Sequence, residues 1–414
     1  MLLCGTAADT LAIQAAIDSN RGGEPGSDQA KAAAVVYLGA GTYKITDTLV
    51  LWKWTVLIGN PRCPPTIVLP QATPAFSGAK GLRPLLVTTV GFNVSTAAHA
   101  WWDQSGPNAI NENFFTSVRH LRVVVGAGNP GAVAISWNVA QQTALRDVVV
   151  TAANDTAIAL DLGAGADYEQ LPADCHGQSA GGVIEDVTLR GAKTGLRLSV
   201  DQSVIKNVVI EGSTEMGLHA HHAAWSFIAL NLSISRVPVA VKIDGTLPGA
   251  VQLLDCTISS VATGGAISTD GRTALLLQNL AADSSVKHVV DKSLSRPASG
   301  IVPLWAQGAA YHSGKALHPF EHRGALPLPT LAAAAAQKIP LACRSSGNAG
   351  GSAAPHLCGG SVEDPSTGAP YFPLPLFEDV HGVLNVQSVG AFGDGMSMQH
   401  NGQPVLNFLL KTQE

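Results

Sequence analysis

The densest cluster of ligating side chains in the sequence is Leu218-His219-Ala-His221-His222. Alternation along a strand would set His219 and His221 on one face, which is what a metal ion asks of two neighbouring imidazoles. No carboxylate or cysteine is spaced to complete a ligand set, so the expectation is a surface edge of histidines and no metal site. Glu211 and Glu215 flank a turn and are the one glutamate pair near that face. Acid and base roles need a partner across a cleft, and the sequence shows none, so neither is assigned such a role. Asp and Asn recur more regularly, at Asp147, Asp186, Asn207, Asn231 and Asp255, each just ahead of an aliphatic run, with His120 in the same place in an earlier copy. Side chains aligned turn on turn make a hydrogen-bonded ladder, and that architectural use is the reading for these carboxylates rather than catalysis.

The elements that carry this column repeat. Val183-Ile-Glu-Asp186-Val-Thr-Leu, Val204-Ile-Lys-Asn207-Val-Val-Ile, Ile228-Ala-Leu-Asn231-Leu-Ser-Ile and Gln252-Leu-Leu-Asp255-Cys-Thr-Ile follow one another at steps of 21, 24 and 24 residues. The longer step of 39 from Asp147 to Asp186 is accounted for by a Gly-rich insertion at 163–178. A second pattern, a small residue followed by apolar alternation, comes after each copy: Ala132-Val-Ala-Ile, Ala157-Ile-Ala-Leu, Gly195-Leu-Arg-Leu, Gly217-Leu-His-Ala and Ala240-Val-Lys-Ile. A fixed period of this length without helical periodicity predicts an all-β solenoid, a single-stranded right-handed parallel β-helix. Ahead of it, Asp9-Thr10-Leu-Ala-Ile13-Gln14-Ala-Ala-Ile17-Asp18 predicts a short capping helix, with Ile13 and Ile17 on one face covering the open first coil.

Composition agrees. Only 13% of the 414 residues are charged, against 43 glycines and 46% hydrophobic residues. A net charge of −5 gives no electrostatic reason for a nucleic-acid or anionic-membrane partner, and no apolar run is long enough to span a bilayer. Six scattered cysteines show no zinc-like spacing, and no cofactor is implied. Cys256 falls within a strand copy and reads as a buried hydrophobe, while Cys343 and Cys358 could close a loop in a secreted protein. Of three glycosylation sequons, at Asn93, Asn154 and Asn231, the last belongs to the ladder and is expected to be inaccessible. Met1-Leu-Leu-Cys-Gly-Thr shows neither a basic nor an apolar leader region, and the compartment stays open.

Asp9–Asp18 followed by Val35-Val-Tyr-Leu-Gly-Ala-Gly-Thr42-Tyr resembles the opening of the pectate-lyase-superfamily, rhamnogalacturonase/epimerase-like β-helix. Asn113-Phe-Phe-Thr-Ser-Val-Arg119 and Ser136-Trp137-Asn138-Val139-Ala140-Gln141-Gln142-Thr143-Ala144-Leu145 are similar to one branch of it, the glycoside hydrolase family 55 exo-β-1,3-glucanases. That family's motif runs His-Trp-Gln-Val-Ala-Gln-Ala-Thr-Ser-Leu; the chain departs from it at Ser136, Asn138, Gln142 and Ala144. Gln178-Ser179-Ala-Gly-Gly matches a Gly-Ser-Gly-Gly turn, and Leu304-Trp305-Ala-Gln-Gly-Ala-Ala-Tyr311 matches a closing strand. The matches span residues 9–311.

The resemblance implies inverting hydrolysis of β-1,3-glucan in a cleft between two tandem β-helices. There the general acid is a Glu of the second helix, and the water is held by a Gln and a Ser of the first. The Gln carries over to Gln141 and the Ser to Ser179; a buried amide satisfying backbone and a plain turn residue are the bland alternatives. Trp137 and Trp225 are candidates to stack on sugar faces, with core packing equally open for both. Absence of Asn-Thr-Asp and Gly-His-Gly argues against polygalacturonase-type hydrolysis, and the ladder role of the Asp column weakens a calcium-dependent lyase reading.

Residues 1–311 are expected to form the β-helix and 312–380, rich in Pro, Gly and Ala, a connector. Residues 381–414, carrying Gly390-Ala-Phe-Gly393-Asp394-Gly395, are expected to open a second, truncated β-helix. With the acid carried over to nothing, the chain alone is expected to be inactive. A polysaccharide partner is expected in either case, and the family resemblance suggests an extracellular setting. The alternatives are a non-catalytic glycan-binding or adhesion β-helix, or a polysaccharide lyase of the same superfamily.

Overall fold

A computed structural model describes residues 9–18, 34–89, 113–163, 179–244, 249–269, 271, 273–291, 293–309 and 322–323. The chain divides into two units, Met1–Val302 and Pro303–Glu414. In the first, strands wind into a right-handed parallel β-helix of about eight turns. Every coil contributes to three stacks of parallel strands, and one aliphatic column runs up the inside of each.

In the first stack Val36, Leu57, Val118, Leu145, Ile184, Ile205, Ala229, Leu253 and Leu277 sit in register, one per coil, and all are buried. Ile67, Val123, Val150, Leu189, Ile210, Ile234, Ile258 and Ala282 do the same in the second. Leu49, Leu86, Ile135, Leu160, Leu196, Leu218, Val241, Ile267 and Val290 line the third. A branched aliphatic at the same place in each coil fills the same space against its neighbours above and below, so a 21- to 24-residue repeat of one apolar side chain suffices to specify a core. Cys256 is buried among these strands, its Sγ 3.6 Å from the Ala229 carbonyl, and burial pushes its thiol up to about 11; it behaves as the small hydrophobe expected.

The Asp/Asn column occupies the bend between the first and second stacks. His120, Asp147, Asp186, Asn207, Asn231, Asp255 and Asn279 all adopt left-handed backbone, with φ between 50 and 57°. Asn and Asp tolerate that conformation better than other side chains, which is why they recur there. Asn207 Nδ2 donates to Asp186 Oδ1 at 3.0 Å, Asn231 Nδ2 to Asn207 Oδ1 at 2.9 Å, and Asn279 Nδ2 to Asp255 Oδ1 at 2.8 Å. His120 Nδ1 lies 2.7 Å from Asp147 Oδ2. Where two carboxylates would meet, at Asp147 and Asp186, Arg146 supplies the counter-charge 3.7 Å from Asp186 Oδ2. The ladder reading thus holds and extends one coil further, to Asn279. Its members are half-buried to exposed rather than sealed, and Asn231 is at the surface, contrary to expectation, with its amide nitrogen committed to Asn207.

Helix α1 (Thr10–Asp18) closes the first coil. Asp9 Oδ2 accepts from Lys44 N at 2.7 Å, and Ile13 and Ile17 are buried. Among the described residues, the strand Leu49–Trp52 pairs only with Arg83–Thr89. On its open side Gln14 takes the place of a neighbouring strand: its Oε1 accepts from Val50 N at 2.9 Å and its Nε2 donates to Val50 O at 3.2 Å. Trp52 Nε1 donates to Asp18 Oδ1 at 2.7 Å. In the second unit a short antiparallel pairing, Gly308 with Arg323 and Ala309 with His322, is described. Apart from 322–323, the expected connector and second β-helix lie outside the described residues, as do Cys343, Cys358 and Asn93.

Candidate functional site

The chain turns from the third stack back to the first through a bend that also repeats. Register Val56–Ser117–Ala144 aligns Trp54, Phe115 and Gln142 on successive coils. All three adopt left-handed backbone, with φ of 68°, 61° and 61°. For bulky residues this is strained, and strain of this kind persists where surrounding structure over-determines it. Trp54 N donating to Phe114 O at 3.0 Å is part of what holds it. The two rings remain in water: Trp54 is 36% and Phe115 49% exposed. They meet edge to face, centroids 5.8 Å apart and planes at 84°.

Gln141 is exposed beside Gln142 at the same bend. It is not the buried backbone-satisfying amide of the bland reading; its carboxamide is presented to solvent. The bend beneath it is rigid. Thr143 Oγ1 donates to Ala140 O at 3.0 Å, Val183 N from the next coil donates to Thr143 O at 2.9 Å, and a Cβ at Gly182 would come within 2.3 Å of Thr143 Oγ1. Only glycine, here at φ +86°, lets the two coils approach so closely. Ser179 opens the strand Ser179–Gly191 in that next coil, so the backbone brings its neighbourhood to this bend. Its side chain lies outside the described residues.

Trp137 must be corrected. It is 1% exposed and among the largest fully buried side chains, so no ring face is open to a sugar. It packs in the core, the alternative the sequence left open. Its neighbours are hydrogen-bonded to one another: Asn138 N donates to Thr88 Oγ1 at 2.6 Å, Thr88 Oγ1 to Asn138 O at 2.9 Å, and Asn138 Nδ2 to Ser136 Oγ at 3.0 Å. The departures at Ser136 and Asn138 thus bond to one another in the interior, while Asn138 Oδ1 and Trp137 Nε1 are buried without a partner among the described residues. Trp225 lies within the strand Met216–Val237, its side chain outside the described residues. The solvent-facing rings of Trp54 and Phe115 are not evident from the sequence because the exposed bend shows only once coil register is known.

A second polar row runs along the third stack, where Ser136, Asp161, Arg197, His219, Lys242 and Ser268 are in register on adjacent strands. Asp161 is fully buried and grips Arg197 through two bonds, Nε to Oδ1 at 3.0 Å and Nη2 to Oδ2 at 2.8 Å. Further along, His219 Nε2 and His221 Nδ1 lie 2.7 and 3.2 Å from Asp244 Oδ1, while Lys242 Nζ sits 2.7 Å from Asp244 Oδ2. Burial lowers the pKa of His219 even against the carboxylate beside it. Asp244 is held at about 2: burial opposes ionisation, but Lys242 and the two histidines outweigh it. The carboxylate that spacing alone did not reveal is thus Asp244, brought beside the histidines by the next coil. Glu211 carries no acid role: Arg190 and Arg236 bind its two oxygens at 2.5 and 2.7 Å and lower its pKa. Glu215 lies 4.0 Å from Lys193.

Comparison with known proteins places this architecture. A probable glucan endo-1,3-beta-glucosidase of Arthroderma benhamiae is 23% identical over 322 residues, 75% of this chain and 34% of its own length. A non-secreted LysM effector, LysM19, of Penicillium expansum is 26% identical over 311 residues, 71% of this chain and 22% of its own. The chain thus spans about a third or less of the curated relatives it matches. Among solved structures, the family GH82 iota-carrageenase from A. fortis superimposes with a TM-score of 0.42 at 12% identity, covering 64% of this chain and 55% of that one. Residues 4–242 match the family model described as rhamnogalacturonase A/epimerase, pectate lyase-like. With more than half of its length so matched and its strands wound as a parallel β-helix, the chain belongs to the rhamnogalacturonase A/epimerase, pectate lyase-like family.

Proposed function

We propose that this chain binds a β-1,3-glucan along the bend that carries Trp54, Phe115, Gln141 and Gln142. The observation that carries the reading is the pairing of two exposed, conformationally strained rings with two exposed carboxamides on consecutive coils. Flat apolar rings match pyranose faces, and carboxamides both donate to and accept from hydroxyls. The glucan class is suggested by the named activity of the Arthroderma relative and by the Gln141 motif.

In a hydrolytic complex Gln141, with Ser179 from the next coil, would hold the attacking water for inversion while a separate carboxylic acid protonates the departing oxygen. Among the described residues, Glu211 and Glu185 do not suit that acid role. Glu211 is kept ionised by two arginines, and Glu185 lies 2.8 Å from Lys206 and 3.4 Å from Arg146. Glycan binding, rather than turnover, is the reading that the described residues support.

The test is titration of the chain with laminarin oligosaccharides, following tryptophan fluorescence and heat, alongside an assay for released sugar. Trp54→Ala and Phe115→Ala are each expected to weaken binding roughly fivefold, about 1 kcal/mol per stacked ring. Wild-type affinity indistinguishable from either variant would sink the binding surface. Sugar release that disappears with Gln141→Ala would instead show that the chain carries its own acid, and its products would tell end-wise from internal cleavage.

A further inference from the structure

We propose that His219, His221 and Asp244 form a binding site for a divalent metal ion of the zinc class, tying two successive coils together. The three ligand atoms, His219 Nε2, His221 Nδ1 and an Asp244 carboxylate oxygen, lie within 4.8 Å of one another. His219 sits within a strand, His221 at a register shift in the same strand, and Asp244 directly after the strand Val239–Ile243. His219 and His221 alternate onto one face of Met216–Val237, and the pairing of His219 with Lys242 sets Asp244 opposite His221 one coil on. The two imidazole planes stand 51° apart with centroids at 5.3 Å, so both nitrogens converge on Asp244 Oδ1 from different directions.

An ion bonded at about 2.1 Å to two nitrogens and one oxygen in tetrahedral array holds its ligand atoms about 3.4 Å apart. The observed separations of 2.7 and 3.2 Å from Oδ1 need open by about 0.7 and 0.2 Å for the ion to enter. Two imidazoles and one carboxylate suit zinc and its first-row neighbours better than calcium or magnesium, which prefer oxygen. Metal ligation needs the neutral imidazole, and burial already favours that form at His219. Lys242 on Oδ2 orients the carboxylate so that Oδ1 faces the histidines, in the manner of an outer-shell partner. The same ammonium opposes a cation, so the affinity expected is modest. His221 is half exposed, leaving a coordination position open to water.

The experiment uses the whole chain stripped with a chelator, titrated with zinc by calorimetry and with cobalt by visible absorption. One equivalent is expected, with cobalt d–d bands and no thiolate charge-transfer band, which separates this site from the exposed Cys63. His219→Ala and Asp244→Asn are each expected to weaken binding at least tenfold. His221→Ala, at the more exposed position, keeps the test sound if the other two fail to fold. Binding weaker than about 1 mM, binding unchanged in all three variants, or binding abolished by Cys63→Ser would each overturn the proposal.

Discussion

Single residues show most sharply what a sequence withholds. Trp137 and Trp54 are the same side chain in similar company, yet one is buried and the other caps an exposed bend in left-handed backbone. Residue type cannot tell them apart, because the difference lies in which side of a coil each position faces. Asp244 was hidden for a related reason: its partners His219 and His221 are 25 and 23 residues away, and only coil register joins them. Their coupling predicts a pH signature. The pKa of Asp244 is depressed to about 2, so the stabilisation it gives is complete above the ordinary carboxylate range and is lost as pH falls through about 2. His219, with its pKa lowered, binds fewer protons folded than unfolded, so its protonation below about 6.5 also disfavours the fold. Unfolding midpoints followed from pH 7 downward should therefore decline in two stages. Asp244→Asn is expected to flatten the stage below about pH 4; a decline there identical to wild type would contradict the assignment.

At the scale of the repeating element, the bend between the first two stacks was the most legible part of the chain. Asp186, Asn207, Asn231 and Asp255 announce it by type and spacing, because few other side chains accept φ near 54° while bonding to their counterparts above and below. The same bend predicts how substitutions divide. Asn207→Ala loses bonds to both Asp186 and Asn231 and puts in left-handed backbone a side chain that accepts it less readily than Asn, together about 2–3 kcal/mol. Asn207→Gly loses the bonds alone and should fall nearer 1–2 kcal/mol. Denaturant midpoints of the pair separate the two contributions; equal losses would mean that the backbone conformation is not what selects Asn here. The bend from the third stack to the first was illegible by contrast. Trp54, Phe115 and Gln142 share a conformation but no chemistry, so no repeated letter marks the column.

Over the whole first unit, the fold was readable because a solenoid writes its core once per coil, and a period survives large local variation. Long-range placement of the capping side chains was not readable. Gln14 looks like any polar residue of a short helix, yet its carboxamide satisfies both backbone groups of Val50. Gln14→Ala should leave those groups unpaired, at about 1–3 kcal/mol, with faster amide exchange at Val50; unchanged exchange would show the cap to be dispensable. The feature has a further consequence. A parallel β-helix is a stack that any matching strand edge could lengthen, as a crystal face accepts another layer, and head-to-tail contacts that do not close on themselves make fibres. Gln14 answers the backbone groups of Val50 with a side chain instead of a strand, so this edge of the first coil offers fewer free hydrogen bonds to such a layer.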